Sequence, residues 1–563
     1  MIGLKPYLES NLSARNKKKI NLFSVIGYSL YFWTIVLFSF LSIHLSIKVL
    51  SCKKFILFDN FYVKITLFTV YQAVLSSLLC LLIGLIFVTT LQRFQRKKIN
   101  RYLQNIINIP FFMPSIVGCL SLILIFGQNG LLSQIFSVFD FHYQTFIYGL
   151  NGILLCNIFY YVPFVLRAYA RILSFVPSEN YKNAQLLGIY GWRCFRIILY
   201  PLISSENRKI FFQIVSYCFR SFTTVLIFGG TPSNTTIEVA IFQGLNYDNN
   251  YDIVLQLSIV HLVLNTLMFS LTQFKKDQTL RHSNEEKPMI KDRWYLLDLI
   301  FIVFVLFLFA LPLGCLFLKG VLSIFSFSIF FGEDLFLEEI FKSLYTALCM
   351  GAIVSIITLL MGFLLVSASY KIGKKLKKTN NGLQINFLVN YIPDIASNIS
   401  LIFPPVIIGL FIEPFILKSS NYSFFTSLIV VCSLNGLYAL PVVYRTLSFP
   451  CKAVKDLYNE LCELQDIKGF QRFKIIDFPL LIKPISYAIA TCFVFSLGDS
   501  RFTLFFSNGE FSTITLLLYD KMRNHQFGHA SFIATLLILL GWVVFSLTNY
   551  ILKRFEPYNF DQC

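Results

Sequence analysis

The chain has 563 residues, of which 56% are hydrophobic and only 14% charged, with a mean hydropathy of +0.67. Soluble domains carry about 25% charge, so these values exclude a soluble globular protein and place most of the chain in lipid. The formal charge of +19 fits the Lys and Arg excess of membrane-protein loops rather than a nucleic-acid face, because the basic residues sit in short segments between apolar runs.

A spanning helix needs about 20 apolar residues. Twelve runs meet this, near 22–45, 66–90, 107–127, 146–170, 209–230, 253–274, 295–318, 343–370, 396–416, 423–446, 482–500 and 530–552. The first follows a basic N-terminus, is too long for a signal-peptide core and has no small-residue cleavage site after it, so it reads as an uncleaved span. The expected fold is an all-α membrane protein of about twelve transmembrane helices. The thirteen cysteines form no C-x-x-C pair and mostly fall inside apolar runs, where cysteine behaves as a small hydrophobe.

Charge orients the spans. With Lys17, Lys18 and Lys19 cytoplasmic, the same side receives Arg93, Arg96, Lys97, Lys98 and Arg101, the central segment with Lys275, Lys276, Arg281 and Lys291, the run Lys371, Lys374, Lys375, Lys377 and Lys378, and the tail at Lys553 and Arg554. Both termini are then cytoplasmic. The opposite side carries acids, among them Glu238, Asp248, Asp252, Glu333, Asp334, Glu338 and Glu339; Lys48, Lys53, Lys54 and Lys64 dissent and are outweighed.

The chain also repeats itself. Asn157, Pro163, Arg167, Gly191 and Pro201 recur as Asn435, Pro441, Arg445, Gly469 and Pro479, all at one constant offset in the numbering. The basic loop at Arg93, Arg96 and Lys97 recurs as Lys371, Lys374 and Lys375 at the same offset, and PSIVG from Pro114 matches PVIIG from Pro405 at a slightly longer one. These coincidences predict a parallel duplication with a two-fold axis along the membrane normal. The first repeat covers 1–275, a cytoplasmic linker 276–294, and the second repeat 295–563.

Two polar islands stand out because the rest is so apolar: 178–201, SENYKNAQLLGIYGWRCFRIILYP, and the stretch 456–479 that contains YNELCELQDIKGFQRFKIIDFP. Each is expected to hold a short cytoplasmic helix. In the first, Gly188 ends it in the left-handed conformation and Pro201 begins the next span. A mere connection has no reason to recur in register, so the pair predicts a docking surface for a partner that is itself dimeric.

These islands resemble the coupling loop of type I, binding-protein-dependent ABC importer permeases, whose pattern is an acid, two small residues, three variable ones, Gly, nine more and I-x-L-P. In the first island Lys182, Asn183 and Ala184 occupy the Glu-Ala-Ala places, Gly188 the glycine, Ile198 the isoleucine and Tyr200-Pro201 the Leu-Pro. In the second, Glu460, Leu461 and Cys462 hold those places, Asp466 replaces the glycine, and Ile476 with Phe478-Pro479 closes the motif. The acid survives only as Glu460 and the glycine only as Gly188. The stretches Phe219 to Asp248 and Phe495 to Met522 resemble the fused, double-length permeases for thiamine and thiamine pyrophosphate.

The resemblance implies a transport subunit that is not itself an enzyme. A cytoplasmic ATPase dimer would engage both loops, and an extracytoplasmic substrate-binding protein would dock on the other face of the inner membrane. It implies no cofactor held by this chain, with ATP and Mg used by the ATPase. The absence of G-x-x-x-x-G-K-[ST] agrees with that. A ferric-iron permease of the same mechanism and an ion-coupled 6+6 carrier are the alternatives; the latter needs titratable residues deep in the spans.

Candidate pathway or gating residues follow from position. Asn157 and Asn435, with Pro114 and Pro405, are the polar or helix-breaking features of the spans. Arg167 and Arg445 close the fourth and tenth spans, as headgroup anchors or as braces for the loops. Arg220 and the Asp499/Arg501 pair are intramembrane charges with two readings: Arg220 pairs inside the bundle while Asp499 and Arg501 reach the outer surface, or all contact substrate. His261 reads as a hydrogen-bonded interior residue. His525 and His529 have metal-ligand spacing but no third ligand nearby, so no metal site is expected.

Overall fold

The computed structural model describes residues 22–50, 59–94, 98–140, 145–174, 176, 178–189, 191–230, 234–248, 250–273, 295–325, 334–378, 424–467, 469–506 and 511–554, with shorter pieces at 397–398, 400, 402–405 and 407–409. Among them every regular element is a helix. Among the described residues nine helices are long and apolar enough to cross a bilayer, and a pair bent by 59°, Glu206–Phe219 with Phe222–Phe228, makes a tenth. These ten occupy expected spans two to eight and ten to twelve. The first span is the helix Leu22–Leu50, whose described side chains contribute the apolar stretch Val36–Val49. Most of the ninth, 396–416, and the linker 276–294 lie outside the described residues. Phe40, Leu67, Ile356 and Trp542 are each more than half exposed, as side chains facing lipid are.

The two halves of the chain interlock through their leading helices. Leu22–Leu50 packs against Asp334–Lys378 of the second half, and Tyr295–Val305 packs against Asn60–Phe94 of the first. Phe38 meets Phe403 with ring centroids 4.7 Å apart, and Phe87 meets Phe301 and Phe304 at 4.9 Å each. Within each half, a glycine lets two spans approach closely, as association in lipid favours. A Cβ on Gly84 would run into Val165, and one on Gly362 would lie 2.5 Å from Val443. Both members of this contact are related by the repeat offset.

Three π turns, Phe195–Leu199, Leu306–Ala310 and Phe473–Asp477, interrupt the helices. Each ends just short of a proline, at Pro201, Pro312 and Pro479. Proline lacks an N–H and its ring crowds the carbonyl one turn back, so the helix widens there. Pro201, expected to begin the next span, is the second residue of the helix Tyr200–Phe219, as Pro479 is of Phe478–Leu497, but in both the helical path already runs on from Gly191–Cys194 and Gly469–Arg472 through the π turns.

The fifth span breaks at Arg220 and Ser221. The break frees backbone carbonyls that lipid cannot satisfy, and neighbouring spans supply donors. Gln72 Nε2 donates to Cys218 O at 3.3 Å, and His261 Nε2 lies 3.2 Å from Phe219 O. His261 is thus the hydrogen-bonded interior residue that its position implied.

Candidate functional site

The loop regions 178–201 and 456–479 share a local design. In the first, the helix Ser178–Leu186 ends with Gly188 at φ +68°. Ile189 N–H donates to Ala184 O at 2.8 Å and Gly188 N–H to Gln185 O at 3.1 Å, a Schellman closure. In the second, the helix Phe424–Leu464 runs unbroken from the tenth span into the loop, and Asp466 stands at φ +50°. Ile467 N–H donates to Cys462 O at 2.9 Å, so Asp466 takes over the left-handed position of the glycine it replaces. Nothing lies within 4 Å of a Cβ placed on Gly188. Gly188→Ala is therefore expected to lower stability by about 1 kcal/mol through backbone strain alone, read as a lower melting temperature in detergent with an unchanged elution profile.

The same faces are presented in both loops. Lys182 and Glu460 are exposed, whereas Ala184 and Cys462, two positions on, are buried. At the tips, Leu186 is 86% and Leu464 83% exposed, and the two are related by the repeat offset. What lies beneath differs. Tyr181, Cys194, Phe195 and Leu199 form an apolar underside to the first loop. The second is held by polar contacts: Tyr370 donates to Asp456 at 2.8 Å, Asn459 to Tyr370 at 3.3 Å, and Arg472 to Asn459 at 2.5 Å, with Arg472 Nε 3.5 Å from Asp477 Oδ1.

A second site lies where the halves meet. The Thr223 and Ser500 hydroxyls are 2.9 Å apart, Phe242 packs edge-on against Phe505 at 5.1 Å, and a Cβ on Gly498 would stand 3.2 Å from Pro114. The helices Tyr200–Phe219 and Phe478–Leu497 are counterparts in the repeat and are capped by Arg220 and Gly498 at corresponding breaks. Tyr160 donates to Pro114 O at 2.8 Å, and Tyr438, its counterpart in the second repeat, donates to Phe403 O, so each half ties its proline segment to its fourth or tenth span.

At this seam the charges gather. Asp499 has no side-chain exposure; its Oδ1 accepts the Arg501 N–H at 3.2 Å and lies 3.7 Å from Arg501 Nε, and its Oδ2 accepts from Asn435 Nδ2 at 3.3 Å. The reading in which the Asp499/Arg501 pair reaches the outer surface is therefore wrong for Asp499. The break after Leu497 turns it inward, where three donors offset the cost of burying a carboxylate. Arg220 donates to Ser216 O at 3.2 Å and lies 5.5 Å over the Tyr217 ring. Glu238, expected among the outer acids, is fully buried because the helix Ile237–Asn246 folds back into the bundle, and Arg501 and Arg220 are the charges that act on it.

The other sequence candidates are placed apart. Asn157 donates to Ser76 at 2.9 Å and Gln72 at 3.3 Å, inside the first half rather than at the seam. Arg167 donates to Pro163 O at 3.3 Å on its own helix, while Arg445 reaches Asn398 Oδ1 at 3.0 Å. His529 packs edge-on to Phe336 at 4.5 Å, and among the described residues no three His, Cys, Asp or Glu side chains gather as a metal site. Sequence reasoning missed Tyr160 and Tyr438, although both stand in the repeated text. It also missed the exposed Leu186 and Leu464 and the burial of Glu238, which its charge alone disguised.

Residues 80–274 match the family described as the binding-protein-dependent transport system inner membrane component. The matched segment lies in the first half of the chain; with nine apolar helices and a bent pair among the described residues, the fold is that of a multi-pass inner-membrane protein similar to permeases of the binding-protein-dependent class. Its similarity to curated proteins runs nearly end to end. It is 28% identical over 500 residues to the thiamine transport system permease protein ThiP of Haemophilus influenzae, covering 87% of this chain and 89% of that protein. The permeases of the same description from Brucella abortus and Escherichia coli K12 are 27% and 24% identical over 502 and 494 residues, covering 86% and 87% of this chain and 86% and 89% of their own lengths.

Proposed function

We propose that this permease carries thiamine or its phosphate esters inward across the inner membrane, driven by ATP hydrolysis in a separate subunit and working by alternating access between its halves. The observation that carries the reading is the similarity over at least 86% of the chain to permeases described as thiamine transporting. A ferric-iron substrate has no such support. The ATPase dimer docks on loops 178–201 and 456–479, where Lys182, Ala184, Gly188 and Pro201 answer Glu460, Cys462, Asp466 and Pro479. Glu460 gives the second loop the better electrostatic contact. The soluble binding protein docks on the opposite face, and both termini are cytoplasmic by the distribution of Lys and Arg. No nucleotide sits on this chain; ATP and Mg belong to the ATPase.

The test is uptake of labelled thiamine into proteoliposomes that hold the permease with its ATPase, with binding protein outside. Uptake is expected to require internal ATP and to survive collapse of ion gradients. Uptake without ATP that vanishes with the gradient would sink the importer reading in favour of a secondary carrier.

A further inference from the structure

Glu238 is the group at the seam that the fold leaves unexplained. It is fully buried, and neither carboxylate oxygen has a hydrogen-bond partner among the described residues. An uncompensated buried carboxylate is costly, and such charges within membrane proteins are functional by default. The two arginines that act on it are both held elsewhere, Arg501 against Asp499 and Arg220 against Ser216 O and Tyr217.

The charges also break the internal symmetry. The helices Ile237–Asn246 and Ile514–Arg523 each follow a threonine, Thr236 and Thr513, a register one residue short of the repeat offset, which makes Thr515 the counterpart of Glu238, with the equally neutral Leu516 next to it. Thr515 is satisfied, donating to Asp499 O at 2.7 Å. At the repeat offset Arg220, Asp499 and Arg501 correspond to Gly498, Ser221 and Thr223 in the other half. All four charges at the seam thus have neutral counterparts. A surface on a two-fold axis made of equal pieces presents the same chemistry twice. A small solute with a single charged ring needs the two sides to differ.

We propose that Glu238 is the selectivity residue of the pathway: when the seam parts, its carboxylate receives the cationic ring of the passing substrate, with Phe242, Phe505 and Tyr438 offering aromatic faces beside it. This rests on the thiamine reading, since thiamine carries a permanently charged thiazolium. Phe242, one turn on from Glu238 along the same helix, packs against both Phe222 and Phe505 at 5.1 Å, and Tyr438 packs against Phe502 at 5.3 Å. A desolvated organic cation is stabilised both by a carboxylate and by such faces. Asn435 Oδ1, also buried and without a partner among the described residues, adds an acceptor at the same seam.

The test uses the assembled importer in proteoliposomes and measures labelled thiamine taken up per ATP hydrolysed. Glu238→Gln is expected to fall below a tenth of wild type, Glu238→Asp to recover at least half, and the glutamine variant to melt no lower than wild type. Glu238→Thr, carrying the residue type of the equivalent position, is a second neutral variant expected to fail alike, so a misfolded amide does not decide the outcome. Wild-type uptake per ATP in both neutral variants overturns the assignment and leaves the importer reading standing. If instead they hydrolyse ATP faster without binding protein at unchanged uptake per ATP, Glu238 is a latch between the halves, and the assignment is again overturned. A wild-type importer that moves no thiamine overturns both readings.

Discussion

Asp499→Ala is expected to destabilise the permease by about 3 kcal/mol, the order found when one partner of a buried charge pair is removed. Three contacts converge on this carboxylate, from the Arg501 guanidinium, the Arg501 N–H and Asn435 Nδ2, and its side chain is wholly enclosed. Alanine would strand Arg501, itself 22% exposed, beside an empty acceptor site and leave the helix Arg501–Phe506 without the side chain that holds its first N–H. Asn in place of Asp keeps an acceptor for that N–H and is expected to cost about half as much. The measurement is the midpoint of thermal unfolding in detergent, followed by size-exclusion chromatography. An alanine variant that melts with the wild type would show that the pair contributes nothing net.

Replacing Leu186 and Leu464 together by aspartate is expected to reduce ATP-driven uptake by at least about tenfold without lowering the melting temperature, the tenfold following from the loss of an anchor contact. Single exposed leucines are ordinary, but these two recur at the tip of both loop helices, in register with the repeat and both over four-fifths exposed. A leucine that fills a pocket in a partner acts as an anchor whose loss costs about 2 kcal/mol or more, whereas an exposed substitution shifts stability by only about 0.5 kcal/mol. The two readouts separate docking from folding. ATP hydrolysis by the free ATPase should be unchanged, and its co-purification with the permease should fall. Full uptake in the double variant would remove these tips from the docking surface.

The loops show why some of the site was legible in the chain itself. The left-handed turn at Gly188 follows from a local requirement, since glycine alone enters that region without strain. Its recurrence as Asp466 was visible only as a departure from the motif; the shared backbone turn at φ +68° and +50° shows that both loops take the same conformation, one with glycine and one with aspartate. The polar underside of the second loop was not legible, because Tyr370 lies far before Asn459 in the chain and no periodicity links them. Asn157 and Asn435 illustrate the same limit. They are equivalent in sequence, yet one is tied to Ser76 and Gln72 within its half and the other to Asp499 at the seam.

By itself the sequence determined what depends on composition and local order: a chain made for lipid, spans of the required length and the echo of its polar islands at a constant offset. Helices in a bilayer satisfy their own backbone, so hydropathy alone marks them out. Only the tertiary structure decided which charges are enclosed, because that depends on where the chain breaks and turns back. The breaks after Phe219 and Leu497 bring Arg220 and Asp499 inward, and the helix after Thr236 carries Glu238 to the same seam. A carboxylate facing water and one shut between two halves of a protein have the same letter, and their energies differ through surroundings that lie far away along the chain.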